Sequence, residues 1–196
     1  MNIENVLATR YASAAMTELF STGAKIVFER QLWVAILIAQ KQLGLEVSDT
    51  VIKDYQAVIN KVDLSSINER EKTTRHDVKA RIEEFCFLAG HEKIHQGMTS
   101  RDLTENVEQL QIRRGLEIVI DRVVASLARL SALAVEHQDL AVVGRTHNVP
   151  AQITTLGKRF ASAAEELLLS YRRLTDLLHS YPLRGVKGPV GTQQDQ

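Results

Sequence analysis

Residues 116–134 read LEIVIDRVVASLARLSALA, a stretch in which apolar residues recur at alternating spacings of four and three. The apolar positions are Leu116, Ile120, Val123, Leu127, Leu130 and Ala134. This spacing places them along one side of an α-helix, as the seam of a long helical bundle requires. A continuous helix over 102–137 would be roughly 54 Å long at 1.5 Å per residue. Helices of that length usually pack against further long helices, from the same chain or from copies of it.

A second apolar seam follows and predicts another long helix. It runs through Ile153, Leu156, Phe160, Ala163, Leu167, Tyr171, Leu174 and Leu178. The three prolines all lie at or after position 150, so the strongest helix breaker is missing from most of the chain. We therefore expect an all-α fold. The seams alone are equally typical of a plain coiled coil and carry no chemistry.

Shorter helical patterns precede the first seam and predict a small N-terminal helical domain. One apolar pattern ends at Gly44, a second helix is capped by Ser48-Asp49, and a third begins at Asp77 and ends before Gly90. We expect this domain to cover residues 1–98, and residues 99–196 to form the first part of a central long-helix bundle. The glycine-rich stretch 181–196 is expected to be a loop that connects helices.

The composition is that of an ordinary globular protein. Lysine plus arginine equals aspartate plus glutamate at 24 each, so no global field attracts nucleic acid or an anionic membrane. The single cysteine, Cys86, lies among Phe85, Phe87 and Leu88 and is expected to be a buried structural thiol. Because one thiol excludes an intrachain disulfide, and no leader or membrane-spanning apolar run is visible, we expect a cytoplasmic protein.

Three polar clusters interrupt the helical patterns and are the candidate functional residues. Each is expected at the entrance of a helix, where free backbone N–H groups and the helix dipole favour anions. Arginine, hydroxyls and imidazoles in these clusters suit an anionic substrate that needs acid–base chemistry without a metal. The clusters are 74–77 (TRHD), 95–100 (HQGMTS) and 144–147 (GRTH). Each cluster alone is more often a capping device than a site.

The segment 91–95 reads HEKIH and matches the HExxH pattern of zinc proteases. That pattern requires a continuous helix, but Gly90 precedes the segment and Gly97 follows it. We therefore expect no metal site here.

Taken in order, these clusters resemble one enzyme family, the adenylosuccinate lyases of the fumarase/aspartase superfamily. The resemblance covers the whole chain and rests on four segments, 10–13 (RYAS), 74–78 (TRHDV), 95–100 and 144–147. The run Arg75-His76-Asp77 distinguishes this family from its superfamily relatives, which share mostly the Thr-Ser and His elements.

The resemblance implies a cofactor-free β-elimination in purine nucleotide biosynthesis, which splits adenylosuccinate to AMP and fumarate, and the succinylated aminoimidazole carboxamide ribotide likewise. It implies catalytic roles for His147, as general acid, and for His76. It implies a nucleotide substrate bound by Arg10, Tyr11, Arg75, Asp77, His95, Thr99, Ser100 and Thr146. His95 would lie near the phosphate, and Thr99 with Ser100 would hold the succinyl carboxylates.

The family's catalytic base is a serine in a mobile loop whose sequence does not occur in this chain. The resemblance also implies a homotetramer in which several subunits contribute to each active site. We therefore expect the 196 residues alone to be inactive. Two alternatives stay open: another lyase of the superfamily, such as argininosuccinate lyase, and a non-catalytic helical scaffold.

Overall fold

The computed structural model describes residues 5–192, which form a mostly helical chain with one small sheet. The elements in chain order are a π-helical turn (Leu7–Tyr11), α1 (Ala14–Leu19), α2 (Thr22–Gln42), α3 (Asp49–Val58), α4 (Leu64–Thr74), α5 (Asp77–Ala89), α6 (Ser100–Glu136), β1 (Ala141–Thr146), β2 (Val149–Thr155) and α7 (Leu156–Ser180). The helical fold class is confirmed, whereas the β1–β2 hairpin and α4 were not predicted.

The contacts divide the chain into two units. The first lies within Met1–Ile112 and Pro182–Gln196, and the second is Arg113–Tyr181. Helix α6 begins in the first unit and ends in the second. The domain boundary after residue 98 stays a prediction.

In the first unit, α3 begins, and α2 and α5 end, where the sequence predicted. The Ser48 hydroxyl accepts a hydrogen bond from the Val51 N–H at 3.3 Å and caps α3. Gly44 and Gly90 follow α2 and α5 with φ angles of 105° and 75°. Glycine adopts this left-handed backbone without the steric cost that a Cβ would bring, so it closes both helices.

Aromatic side chains from α2, α3 and α5 form the centre of the first unit. The Phe85 ring lies 6.1 Å from the Trp33 ring and 5.0 Å from the Tyr55 ring, between ring centroids. All three side chains are buried, and so is Cys86, as predicted. Tyr55 Oη donates to the His91 carbonyl, which attaches the loop after α5 to this core.

A buried ion pair joins α2 to α5 in the same unit. The Arg30 guanidinium pairs with the Glu84 carboxylate and also donates to the carbonyls of Val58 and Ile59, at 2.8 and 3.0 Å. Glu84 in turn accepts from the Asp63 N–H at 3.1 Å. Because the terminal nitrogens of Arg30 and the Glu84 carboxylate bind the backbone of Val58, Ile59 and Asp63, the pair fixes the end of α3 and the start of α4.

The Asp102 carboxylate, fully buried in the first turn of α6, holds segment 184–188 against that helix. Its oxygens accept from the backbone N–H groups of Lys187 and Gly188, at 3.1 and 2.9 Å, and from Arg184 Nε at 3.4 Å. They also accept from the Thr99 N–H at 3.0 Å. Burial opposes ionisation, but these donors prevail and lower the pKa of Asp102 below its usual 3.8.

Residues one and two turns further along α6 bind the same segment. Asn106 donates to the Gly185 carbonyl at 2.9 Å and accepts from the Gly185 N–H at 3.0 Å. Gln109 accepts from the Arg184 N–H at 2.6 Å. Residues 181–192 therefore form a loop, as predicted, and the backbone of segment 184–188 is bound to one face of α6. Residues 193–196, the end of the predicted loop, lie outside the described residues.

Helix α6 runs without a break from Ser100 to Glu136, 37 residues, which confirms the long helix predicted over 102–137. Helix α7 has 25 residues. Within residues 5–192, no helix is both long enough and apolar enough to cross a membrane.

The expectation that the second seam is helical from Ile153 and that His147 lies at a helix entrance is wrong. Residues 141–155 form an antiparallel hairpin, and α7 begins only at Leu156. The two turn residues, His147 and Asn148, have φ angles of 50° and 64°. Positive φ at both positions defines the type I′ turn, which matches the twist of paired strands. The β-branched residues around the turn favour extended backbone and override the helical spacing.

Helix α7 begins in close contact with the end of α6. The Gly157 N–H donates to the His137 carbonyl at 2.9 Å, and the Leu156 N–H donates to the Leu140 carbonyl at 2.9 Å. A Cβ at position 157 would lie 2.3 Å from the Ala134 carbonyl oxygen. Only glycine permits this approach.

We expect Gly157→Ala to lower the free energy of unfolding by about 1–3 kcal/mol, because the added methyl meets backbone atoms that cannot move aside. Urea unfolding measures the change. Gly23→Ala is the matched control: its Cβ would lie 4.0 Å from the nearest atom, and alanine is the better helix former. Equal stability of Gly157→Ala and wild type would contradict the packing described here.

We expect Asp102→Asn to lower the free energy of unfolding by about 3 kcal/mol, because the amide presents N–H groups to donors that need an acceptor. Trypsin should then cleave faster after Arg184 and Lys187, since segment 184–188 loses its anchor. Asp121→Asn, at an exposed position on α6, is the control. Unchanged cleavage at Arg184 and Lys187 would show that Asp102 does not hold the segment.

Candidate active site

The link between α4 and α5 presents Arg75 and His76. Arg75 ends α4 in the left-handed conformation, with φ of 51°, and its side chain is exposed. His76 caps α5, and its Nδ1 accepts a hydrogen bond from the Lys79 N–H at 3.3 Å. In the neutral imidazole the proton is therefore on Nε2.

Two of the predicted clusters meet at His76. Its Nε2 lies 3.4 Å from the Ser100 hydroxyl, although 24 residues separate the two in sequence. Ser100 is the first residue of α6, so both groups lie at helix N-termini. An anion bound beside them would meet an imidazole N–H, a hydroxyl and the positive ends of two helix dipoles.

Asp77 and Thr99 shape the same two helix starts. The pKa of Asp77 is lowered: burial acts against this, but the Val78 N–H and the Arg81 guanidinium outweigh it. Thr99 donates its N–H to Asp102, while its carbonyl accepts from the Asp102 N–H. This half of a capping box fixes the backbone that carries Thr99 and Ser100.

His95 lies in the loop between α5 and α6, with φ of 65°. Its Nδ1 accepts the indole N–H of Trp33 at 3.0 Å. Burial lowers the pKa of His95, and the charges of His76 and Lys79 act in the same direction while Asp102 opposes them. The net shift favours the neutral imidazole.

The remaining predicted residues lie apart in sequence from these clusters. Arg10 and Tyr11 belong to the π-helical turn, and both are exposed. The Arg10 guanidinium lies 5.9 Å from the centroid of the Tyr11 ring. Thr146 and His147 are exposed at the tip of the hairpin in the second unit, so their backbone is set by strand pairing and not by a helix start.

Backbone strain is concentrated in the predicted site residues. Among residues 5–192, the non-glycine residues with positive φ are Arg75, His95, His147 and Asn148. Three of the four carry predicted roles. Such conformations persist only where the surrounding structure imposes them, and they cluster at functional sites.

Sequence reasoning missed two residues of this region. Asp102 follows Thr99 by three positions, the spacing of a capping box, so a sequence signal for it was present. Trp33 precedes His95 by 62 positions, and no local pattern connects the two.

The HExxH segment is not helical, as predicted. His91 pairs with Asp54 at 2.8 Å, between Nε2 and Oδ2, whereas His95 accepts a hydrogen bond from the Trp33 indole. Across the described part of the chain, no three His, Cys, Asp or Glu side chains are grouped so that they could hold a metal ion.

The chain is similar to solved structures with the same fold. A fumarate lyase from Mesorhizobium sp. BNC1 superposes with a TM-score of 0.82 at 25% identity, covering 93% of this chain and 44% of that one. The β-carboxy-cis,cis-muconate cycloisomerase from Acinetobacter calcoaceticus gives 0.85 at 23% identity, covering 98% and 47%.

Several curated relatives from organisms that are far apart carry the same name. Adenylosuccinate lyase from Saccharomyces cerevisiae is 38% identical over 98% of this chain, and the enzyme of that name from Schistosoma mansoni is 35% identical over 96%. Adenylosuccinate lyase from Methanocaldococcus jannaschii is 33% identical over 93%. The chain spans about two fifths of the length of these relatives, covering 41%, 40% and 40% of them.

The match to a protein family extends over almost the whole chain. Residues 11–194 match the family described as Lyase, a range that includes the 74–77, 95–100 and 144–147 clusters. The chain belongs to this lyase family.

Proposed function

We propose that the protein is an adenylosuccinate lyase, which releases fumarate by β-elimination from adenylosuccinate and from the succinylated aminoimidazole carboxamide ribotide. The observation that carries the proposal is the contact between His76 and Ser100, which joins two of the family's motifs at adjoining helix starts. The shared name of the relatives supports the same reaction.

The residues of the first unit suit the recognition of a substrate with carboxylates and a phosphate. The hydroxyls of Thr99 and Ser100 and the N–H of His76 Nε2 are donors for a succinyl carboxylate. Arg75 is exposed and has no ion-pair partner among residues 5–192, and its planar fork can bind a carboxylate or phosphate through two hydrogen bonds. Arg10, Tyr11 and Asp77 would contact the nucleotide, with His95 near its phosphate.

In the elimination, a base takes a proton from the succinyl carbon next to the one that bears nitrogen. The electron pair forms the double bond of fumarate, the C–N bond breaks, and the leaving nitrogen takes a proton from His147 in its imidazolium form. Charge that develops on the carboxylate would be stabilised by the donors at the start of α6. We propose that the base is the loop serine of the family, whose loop sequence does not occur in these 196 residues.

His147 suits the role of proton donor through its position. It occupies a two-residue turn of fixed geometry, with its side chain exposed and Thr146 beside it. The positive φ that the turn requires holds the His147 backbone in one conformation, and the imidazole is thereby presented from a fixed position.

The active protein is proposed to be a cytoplasmic homotetramer with shared active sites. Apolar side chains exposed on α6 and α7, among them Val124, Val135 and Leu169, support assembly. In the assembled protein, these exposed apolar side chains of α6 and α7 would be covered by further long helices, from the same protein or from other copies of it.

The test is the reaction of the purified full-length protein with adenylosuccinate, followed by the appearance of fumarate and AMP. Argininosuccinate, given in parallel, should yield no fumarate. Release from argininosuccinate alone would assign the chain to the other lyase, and release from neither would favour a non-catalytic scaffold.

We expect His147→Gln to lower kcat by about 10² to 10⁴, because glutamine keeps a polar side chain but cannot deliver a proton at neutral pH. His179→Gln, on the last turn of α7, is the matched control and should keep wild-type turnover. Turnover of His147→Gln within about threefold of wild type would remove His147 from the mechanism.

A further inference from the structure

The hydrogen bond between Trp33 and His95 crosses from the core to the candidate site. The indole N–H donates to His95 Nδ1 at 3.0 Å, and the two rings meet edge to face, with centroids 6.0 Å apart at 82°. An indole N–H is only a donor, so Nδ1 must offer a lone pair. The neutral imidazole then carries its proton on Nε2.

The position of Trp33 is set by the core and not by the loop. Its side chain is 1% exposed, and its ring stacks against Phe85. The indole therefore cannot turn to follow the imidazole, and the direction of its N–H is fixed.

The loop that carries His95 is held in a conformation that histidine rarely adopts. Its φ is 65°, while Ile94 and Met98 on either side are buried. Gln40 on α2 donates to the Gln96 carbonyl at 3.0 Å. Because α2 supplies both Trp33 and Gln40, one helix fixes the backbone and the ring of this loop.

We propose that Trp33 is a positioning residue that fixes His95 as the Nε2–H tautomer, so that the site receives a hydrogen-bond donor for an anionic substrate oxygen. The part that concerns substrate rests on the proposed function. The role follows from geometry. Because Nδ1 accepts the Trp33 indole N–H, His95 can donate a hydrogen bond to the substrate only through Nε2. In this role His95 transfers no proton, either as an acid or as a base.

The net electrostatic effect on His95 agrees with this assignment. Burial is the largest influence and lowers the pKa, the Asp102 carboxylate opposes it, and His76 and Lys79, at the start of α5, act in the same direction as burial. The pKa of His95 is lowered from its usual 6.5. The Trp33 bond adds to this direction, because imidazolium has no lone pair at Nδ1 to accept it.

The test compares wild-type protein with Trp33→Phe, which keeps an aromatic ring and removes the N–H. Histidine labelled with ¹⁵N shows which ring nitrogen carries the proton, and His95→Gln assigns the signal. Wild type should show the Nε2–H form at neutral pH. Trp33→Phe should show a mixture of tautomers and a higher titration midpoint, together with a several-fold loss of kcat/KM.

Tyr55→Phe is the control, since it also removes a buried polar group that binds the loop after α5. It should leave the tautomer of His95 unchanged. The proposal is overturned if wild-type His95 carries its proton on Nδ1, if Trp33→Phe leaves tautomer and midpoint unchanged, or if the tautomer changes while kcat/KM does not. The spectra need no turnover, so a wild type inactive on adenylosuccinate would refute the proposed function and leave the tautomer result to stand separately.

Discussion

The buried Asp102 carboxylate is the constraint on which the candidate site depends. A charge removed from water is tolerated only when donors surround it, and here the donors are three backbone N–H groups and one guanidinium. These donors come from the residue before α6 and from a segment some 80 residues later. One side chain therefore fixes the start of α6, and with it the positions of Thr99 and Ser100.

The second constraint is the use of strained backbone where chemistry is expected. Arg75, His95 and His147 each adopt a conformation that glycine would adopt more readily. In the first unit the strain is held by helix caps and by the aromatic core, through Trp33. In the second unit it is held by the strand pairing of the hairpin. Helix caps, core packing and strand pairing thus have the same effect: each holds the backbone of a polar residue at positive φ.

Much of the helical architecture could be read from local patterns. Gly44, Ser48 and Gly90 mark helix ends because capping is decided by neighbouring residues. The hairpin could not be read in the same way, because Ile153 fits a helical seam and a strand equally well. Its backbone is settled by pairing with β1, where Val143 faces Ile153 across the ladder. The same ambiguity explains why His147 was expected at a helix entrance, whereas it lies in the turn of the hairpin.

The sequence by itself determined the order of the polar clusters, the helix-forming seams and the absence of an intrachain disulfide within these 196 residues, since these depend on residue type and short-range spacing. Only the tertiary structure decided that His76 meets Ser100, that Asp102 binds segment 184–188, and that the Trp33 indole donates a hydrogen bond to His95 Nδ1. Each of these contacts joins residues that are far apart in the chain, and no local spacing encodes them. They form because burial of the core leaves polar groups that must find partners wherever the packed helices bring them together.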